Sequence, residues 1–261
     1  MGLDTAPVEL GDGWGEYAND ARAVIELVRQ VCLEGVPLVS GLQPEKIRID
    51  ERRSGPPHIW LHKENPETAW IVLDFAPLHW IQLAYQLGHE LGHVLCNSWQ
   101  WDATRTGESQ WLEEAMVEAF SLRGLARLAD AWEKVPPFAH DEDFAAQIRK
   151  YRDNATERYR SQNGDKCSVP NITTWYRCAR TTLEHSGGVG PEEGPAILAI
   201  LAEYDKDGAS LADLGALNRW PERTALPLEQ YLSRWQSSCS ERAAPGNLPR
   251  HLAGLFSRAT E

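Results

Sequence analysis

Apolar and polar positions divide the chain into a strand-bearing region and a longer helical one. Ala23, Ile25, Leu27, Val28, Val31 and Cys32 recur at helical spacing, beginning near Asn19-Asp20 and stopped by Gly35 and Pro37. Three strand patterns follow. Lys46-Ile-Arg-Ile-Asp50 alternates, and so does Pro57-His-Ile-Trp-Leu-His62, with His58, Trp60 and His62 on one face and Ile59 and Leu61 on the other. Trp70-Ile-Val-Leu-Asp-Phe75 is a mostly apolar run suited to a buried strand. Glu64-Asn-Pro-Glu67 is turn material, which predicts a hairpin between the second and third strands. Pro77 suits the first turn of a helix whose apolar stripe is Trp80, Ala84, Leu87, Leu91 and Val94, leaving Gln82, Gln86, His89 and His93 on another face.

Gly88 and Gly92 each cost a helix up to about 1 kcal/mol relative to Ala, so their presence points to a close approach by another backbone, such as the third strand or a substrate. Ser109 is a fair N-cap for a helix over 110–132, and Pro136-Pro137 ends that region. Further helices are expected over 142–162, 172–185, 195–204, 209–217, 228–237 and 248–258, with loops at 163–168 and 186–194. Residues 1–16, rich in Gly and Asp, read as irregular. The pattern predicts an α+β fold: a first part, 1–135, with a small mixed sheet and the helix carrying the two histidines, then a mostly helical part, 136–261.

The 261 residues suffice for one large core or two closely packed ones. Hydrophobic residues make up 42% and charged residues 25%, which is globular composition. The net charge of −12 gives an acidic surface that repels nucleic-acid phosphates and anionic lipid, so neither is expected as a partner. No apolar run approaches the ~20 residues of a membrane span. Met1-Gly-Leu-Asp-Thr-Ala-Pro has neither the basic start nor the apolar stretch of a secretory signal, and the expectation is a cytoplasmic protein. Cys32, Cys96, Cys167, Cys178 and Cys239 are odd in number and widely spaced, which favours free thiols in a reducing compartment, although Cys167 and Cys178 could form a local disulfide. Of eleven tryptophans, Trp80, Trp99, Trp101 and Trp111 flank the histidine helix, either as packing or as an aromatic wall for a substrate side chain.

The candidate chemistry lies in His89-Glu90-Leu91-Gly92-His93, an H-E-x-x-H. Residues four apart on a helix share a face, so both imidazoles can aim at one point, as two nitrogen ligands of Zn²⁺ must. Glu90, beside them, can take a proton from water on the metal. A catalytic zinc needs a third protein ligand and an open position. Glu114, 21 residues after His93, allows a loop and the start of an antiparallel helix, and is the best candidate. Glu118, one turn on, can accept a hydrogen bond from the outer nitrogen of a ligand histidine. Glu113 points about 100° away from Glu114 and is the weaker choice. Tyr176 and His185 are candidates for the oxyanion-stabilising donor that the chemistry requires. His58 and His62 either line the cleft or are ordinary exposed strand positions, His79 and Gln86 could border the site, and Cys96 reads as an inert buried thiol.

His89-Glu-Leu-Gly-His93 followed by Glu114-Ala-Met-Val-Glu118 resembles the gluzincin metallopeptidases, the group of thermolysin and aminopeptidase N. There H-E-x-x-H is followed about twenty residues on by a helix bearing E-x-x-x-D/E. Trp111-Leu-Glu-Glu114 is similar to the W-L-N-E of the aminopeptidase N type, whose last Glu binds zinc. The resemblance implies a zincin-like first part, Glu114 as ligand and Glu118 as the carboxylate behind a ligand histidine. The ImmA/IrrE type is similar too, with H-E-L-G-H before an E-A-rich helix in a small domain of three strands and helices. A fainter likeness links Gly190-Pro-Glu-Glu-Gly-Pro-Ala-Ile-Leu-Ala-Ile-Leu201 and Leu228-Glu-Gln-Tyr-Leu-Ser-Arg-Trp235 to helices near the end of aminopeptidase N catalytic domains, but Pro191 departs from that pattern and the G-x-M-E-N motif is missing.

Together these readings lead to the expectation of a zinc metallopeptidase holding one Zn²⁺ per chain, with a peptide or protein substrate. The substrate would lie extended, adding to the edge strand at 57–62. The alternatives are a metal-dependent hydrolase of a non-peptide amide or ester, and a zinc-dependent regulatory or binding protein without general protease activity.

Overall fold

The computed structural model describes residues 2–52, 55–104, 106–139, 141–167, 169–186, 188–217 and 222–256, with no account of the side chains at 167, 169 and 170. Its four short strands are β1 (Val8–Leu10), β2 (Lys46–Glu51), β3 (His58–Ile59) and β4 (Thr68–Leu73), joined in one mixed sheet in the order β1-β2-β4-β3. β2 runs parallel to both neighbours, with Ile47 opposite Val8 on one side and Ala69 on the other. β3 is antiparallel to β4, with His58 opposite Val72 and Ile59 opposite Ile71, which is the expected hairpin. Ile47, Ile49, Ala69, Ile71 and Leu73 are buried on the core face, while Arg48 lies over the Trp70 ring, 4.2 Å from its centroid, on the other face.

Two strand expectations need correction. β1 falls within residues 1–16, read as irregular; its three residues are too few to show a period, and pairing with β2 makes the strand. The run 57–62 is a strand only at His58–Ile59. Its end is turned by packing: His62 is buried, with Nε2 3.2 Å from the Thr68 carbonyl and its ring edge-on to Trp70.

Among the described residues the helices are α1 (Ala18–Leu33), α2 (Trp80–Leu95), α3 (Gln110–Lys134), α4 (Phe144–Asn163), α5 (Val169–Leu183), α6 (Gly194–Lys206), α7 (Ala212–Gly215), α8 (Leu228–Glu241) and α9 (Asn247–Phe256). The fold is thus α+β, with a small mixed sheet and a predominance of helix. Most expected helices are present with shifted ends. α2 begins three residues after Pro77 because Leu78 adopts a left-handed conformation (φ 64°). The stretch 209–217 holds a 3-10 turn at Gly208–Leu211 followed by the short α7. The expected loops at 163–168 and 186–194 contain 3-10 turns at Gly164–Cys167 and Pro191–Glu193. Residues 257 and 258 of the last expected helix lie outside the described residues. Ser109 precedes α3, but its hydroxyl donates to the Leu226 carbonyl (2.6 Å) instead of capping the helix.

α3 is the central helix, packed on α1, α2, α4 and α6. From Trp111 to Leu125 every residue is buried except Glu114, which is half-buried. A stretch of helix enclosed all round is a core element, so the one open position within 111–125 marks where the core meets a cleft. Gly88 would place a Cβ 3.3 Å from Ser121 Cα, and Gly92 would place one 2.8 Å from Val117 Cβ. The close approach inferred from these glycines is therefore that of α3, and not of the third strand or a substrate. The pairing of 88 with 121 and 92 with 117 makes α2 and α3 antiparallel. Gly92→Ala is expected to destabilise the protein: about 1 kcal/mol of helix propensity is gained, but wedging the helices apart costs about 1–3 kcal/mol. A urea midpoint equal to or above the wild-type value would show that the helices separate freely.

Among the described residues no helix is long and apolar enough to cross a membrane. Cys32, Cys96 and Cys239 are buried free thiols and Cys178 is an exposed one; the side chain of Cys167 lies outside the described residues.

Candidate metal centre

α2 supplies the two histidines and α3 the carboxylates. His89 Nε2 lies 3.3 Å from Glu114 Oε2, and His93 Nε2 lies 3.5 Å from Glu114 Oε1. One ligand-type atom from each of His89, His93 and Glu114 falls within 4.8 Å of the others. Bonds of 2.0–2.2 Å in a tetrahedron set ligand atoms about 3.3–3.6 Å apart; each imidazole lies at that distance from a different oxygen of Glu114. Gln110 Nε2 donates to Glu114 Oε1 (2.8 Å), steadying the carboxylate from one turn earlier on α3.

Both imidazoles are backed by a carboxylate at their outer nitrogen. His89 Nδ1 lies 3.2 Å from Glu118 Oε2, and Glu118 Oε1 accepts hydrogen bonds from the Tyr85 hydroxyl (2.7 Å) and the Tyr159 hydroxyl (2.9 Å). His93 Nδ1 lies 3.6 Å from Glu113 Oε1, beyond hydrogen-bond distance but within ionic contact. Glu113 also accepts from the Ser98 hydroxyl and from Arg223 Nε (3.2 Å) and Nη2 (2.9 Å). The rotation that carries Glu113 away from Glu114 on the helix thus places it behind His93.

Glu90 is only 3% exposed and lines the same cleft, yet its Oε2 has no hydrogen-bond partner. The cleft has a volume of about 460 Å³. Beyond α2 and α3 it is lined by Pro56, Pro57 and His58 at the start of β3 and by Gly188 and Val189 before α6. Gln86 borders it and is bonded through its side-chain amide to both the N–H and the carbonyl of Asp74, which ties α2 to the end of β4. His58 Nδ1–H donates to the Pro56 carbonyl (2.9 Å).

Other sequence candidates lie elsewhere. Tyr176 packs among Trp111, Trp175 and Phe256 with a buried, unpartnered hydroxyl; His185 is exposed and bonded to the Thr181 carbonyl (2.7 Å). Neither is among the cleft-lining residues. His79 is exposed at the start of α2. Trp80, Trp99 and Trp111 are buried packing residues, and Trp101 is exposed with Lys63 over its ring (4.4 Å). The sequence did not single out Tyr85, Tyr159, Arg223 or Ser98. Tyr85 carried a signal, because it sits one turn before His89 on the same face of α2. Ser98 follows the end of α2 directly, its N–H donating to the His93 carbonyl (2.9 Å), whereas Tyr159 and Arg223 reach the site from distant parts of the chain.

Burial opposes charge on both imidazoles, but the carboxylates outweigh it. Glu114 and Glu118, with the charge of Glu90, raise His89 to about 10; Glu114 and Glu113 raise His93 to about 9. The same contacts act in reverse on the acids. Against the desolvation of burial, His93 and His89 hold Glu114 well below the usual carboxylate range, and Arg223 and His93 hold Glu113 down at about 2.

Both histidines are raised above their ordinary value of about 6.5. The stability they contribute to chelator-treated protein is therefore full below that pH and lost as pH rises through 9–10. A metal ion must displace those protons. Zinc binding near pH 7 is expected to release close to two protons per ion, and affinity should rise between pH 6 and 9. Calorimetry in buffers of differing ionisation enthalpy reads this directly, and binding without proton release would refute it.

Comparison of the chain with protein-family models, with curated proteins and with solved structures finds no match. The fold and the site together define an α+β protein with a His-His-Glu group, between two antiparallel helices, able to hold a metal ion.

Proposed function

We propose that the protein is a zinc-dependent peptidase whose centre is His89, His93 and Glu114 and whose proton carrier is Glu90. The observation that carries this reading is the unpartnered Oε2 of Glu90 in the cleft beside the three-residue donor group. A buried carboxylate oxygen without a hydrogen bond is costly to maintain and is accounted for if a water or substrate proton belongs there. Two imidazoles and one carboxylate with donor atoms within 4.8 Å of one another suit zinc better than magnesium or calcium, which take all-oxygen sets. When bound, the ion supplies Lewis-acid polarisation of a carbonyl oxygen and acidifies water.

The chain's own groups do the rest. His89 and His93 present Nε2 because their Nδ1 atoms face Glu118 and Glu113. Glu90 Oε2 accepts a proton as the water oxygen bonds to the peptide carbonyl carbon. It returns that proton to the departing nitrogen as the C–N bond breaks. Tyr85 is committed to Glu118, whereas His58 retains an uncommitted Nε2 among the cleft-lining side chains. His58, which lines the cleft, is therefore a better candidate for the oxyanion-stabilising donor than Tyr176 or His185, which do not line it. β3 is an outer strand and borders the cleft, so an extended peptide can pair with it from His58 onward; Pro56 and Pro57 have no N–H to offer.

A peptide-library digestion with and without chelator tests the reading. Chelator-sensitive cleavage is the expected result. Stoichiometric zinc with neither cleavage nor affinity for a hydroxamate would point to a binding module instead.

A further inference from the structure

We propose that Arg223 is a positioning residue for the metal centre, acting through Glu113 to set the ring of His93; the inference rests on the metal-binding reading above. Arg223 is 5% exposed and follows the short α7 by several residues, far along the chain from the histidines. Its guanidinium does more than neutralise Glu113. Nη2 also donates to the Cys96 carbonyl (2.7 Å) and the Ser98 hydroxyl (2.6 Å), and Nη1 donates to the Leu217 carbonyl (3.3 Å). Cys96 immediately follows α2, and Glu113 lies in the first turn of α3. One planar fork thus joins the end of the histidine helix to the start of the carboxylate helix, at the level of His93. Arginine has the donors and rigidity for this, and lysine does not.

The segment that carries Arg223 is itself held in place. Ser109 N–H donates to the Thr224 carbonyl (2.8 Å), the Ser109 hydroxyl to the Leu226 carbonyl, and the Thr224 hydroxyl to the Thr106 carbonyl (3.0 Å). Gly107, at φ +134°, lies so near Ala225 that a Cβ there would come within 2.5 Å of the Ala225 Cα. Residues 223–226 are therefore fastened to the turn that launches α3, and Arg223 has little freedom to swing. The carboxylate behind His89 is oriented by two tyrosine hydroxyls, and the one behind His93 by this arginine. The carboxylates that face the two histidines are thus oriented by different means, one by neutral groups and one by a charged group, with His93 Nδ1 in ionic contact only.

The test uses the full chain, stripped with chelator and titrated with Zn²⁺ against a competing chromophoric chelator, and with Co²⁺ for its visible absorption. Arg223→Met should weaken zinc binding about 10- to 100-fold and alter the cobalt spectrum. The double variant Glu113→Gln with Arg223→Met should bind no worse than Glu113→Gln alone, because the two act in series. Arg223→Lys should recover only part of the loss. If Arg223→Met does not fold, the double variant, which leaves no unpaired buried charge, carries the measurement, with the same loss expected against wild type. Folded variants with wild-type affinity and spectrum would overturn the inference. His89→Ala separates the two levels: binding lost there but untouched in the Arg223 and Glu113 variants defeats the inference alone, while equal binding by His89→Ala and wild type defeats the metal reading itself.

Discussion

Glu90→Gln is expected to keep its metal and lose hydrolysis. The amide nearly matches the carboxylate in shape, so α2 and its two histidines should stay in register with α3. It cannot accept a proton at the position of Oε2, which in the wild type is buried and without a partner. General-base assistance is worth about 10²–10⁴-fold, and a fall of that size in the rate on any peptide cleaved by the wild type is the expected result, with metal content unchanged. Stability should alter little, since the amide group replaces an oxygen that already lacks a hydrogen bond. Full activity with bound metal would remove Glu90 from the mechanism and leave the buried carboxylate without an explanation.

The largest effect on stability is expected at Glu118. Its carboxylate is fully buried and receives three groups: the hydroxyls of Tyr85 and Tyr159 and the outer nitrogen of His89. Glu118→Ala removes the acceptor that all three share. Each buried donor without a partner costs about 1–3 kcal/mol. With some relaxation and water entry, a loss of about 3–5 kcal/mol is expected in urea unfolding of chelator-treated protein. Zinc affinity should fall as well, by about 10–100-fold, because the outer nitrogen of His89 then loses its carboxylate. Glu118→Gln should be milder. Its amide oxygen can still serve the tyrosines, but its N–H groups face the N–H of His89. Equal tolerance of the Ala and Gln variants would show that the carboxylate does not organise the site.

What could be read in advance follows the reach of the physical rule behind each feature. Four-residue spacing is a local property of a helix, so the His89–His93 pair needed nothing beyond α2. Glu114 and Glu118 were legible through their distance from His93 and their own spacing on α3. The glycines showed that something approaches α2 closely, but a helix does not name its neighbour, and the neighbour is α3. Glu113 points away from Glu114, as its place on the helix demands; that this direction ends behind His93 depends on how α2 packs. Tyr159 comes from 41 residues beyond Glu118, and Arg223 from 110 residues beyond Glu113. Their arrival is decided by tertiary packing alone. β1 is short enough that only its partner strand reveals it, and the run 57–62 lost its strand length to the burial of His62 against Trp70.

The prolines at the mouth of the cleft have a consequence for the protein in a crowded solution. A strand edge that can receive an extended peptide can also receive the matching edge of another copy, and such pairing leads to aggregation. Here the edge is two residues long and is preceded by Pro56-Pro57, which offer no amide hydrogens, so two copies would gain few bonds by stacking. The edge proposed to receive a substrate is thus one that discourages self-assembly.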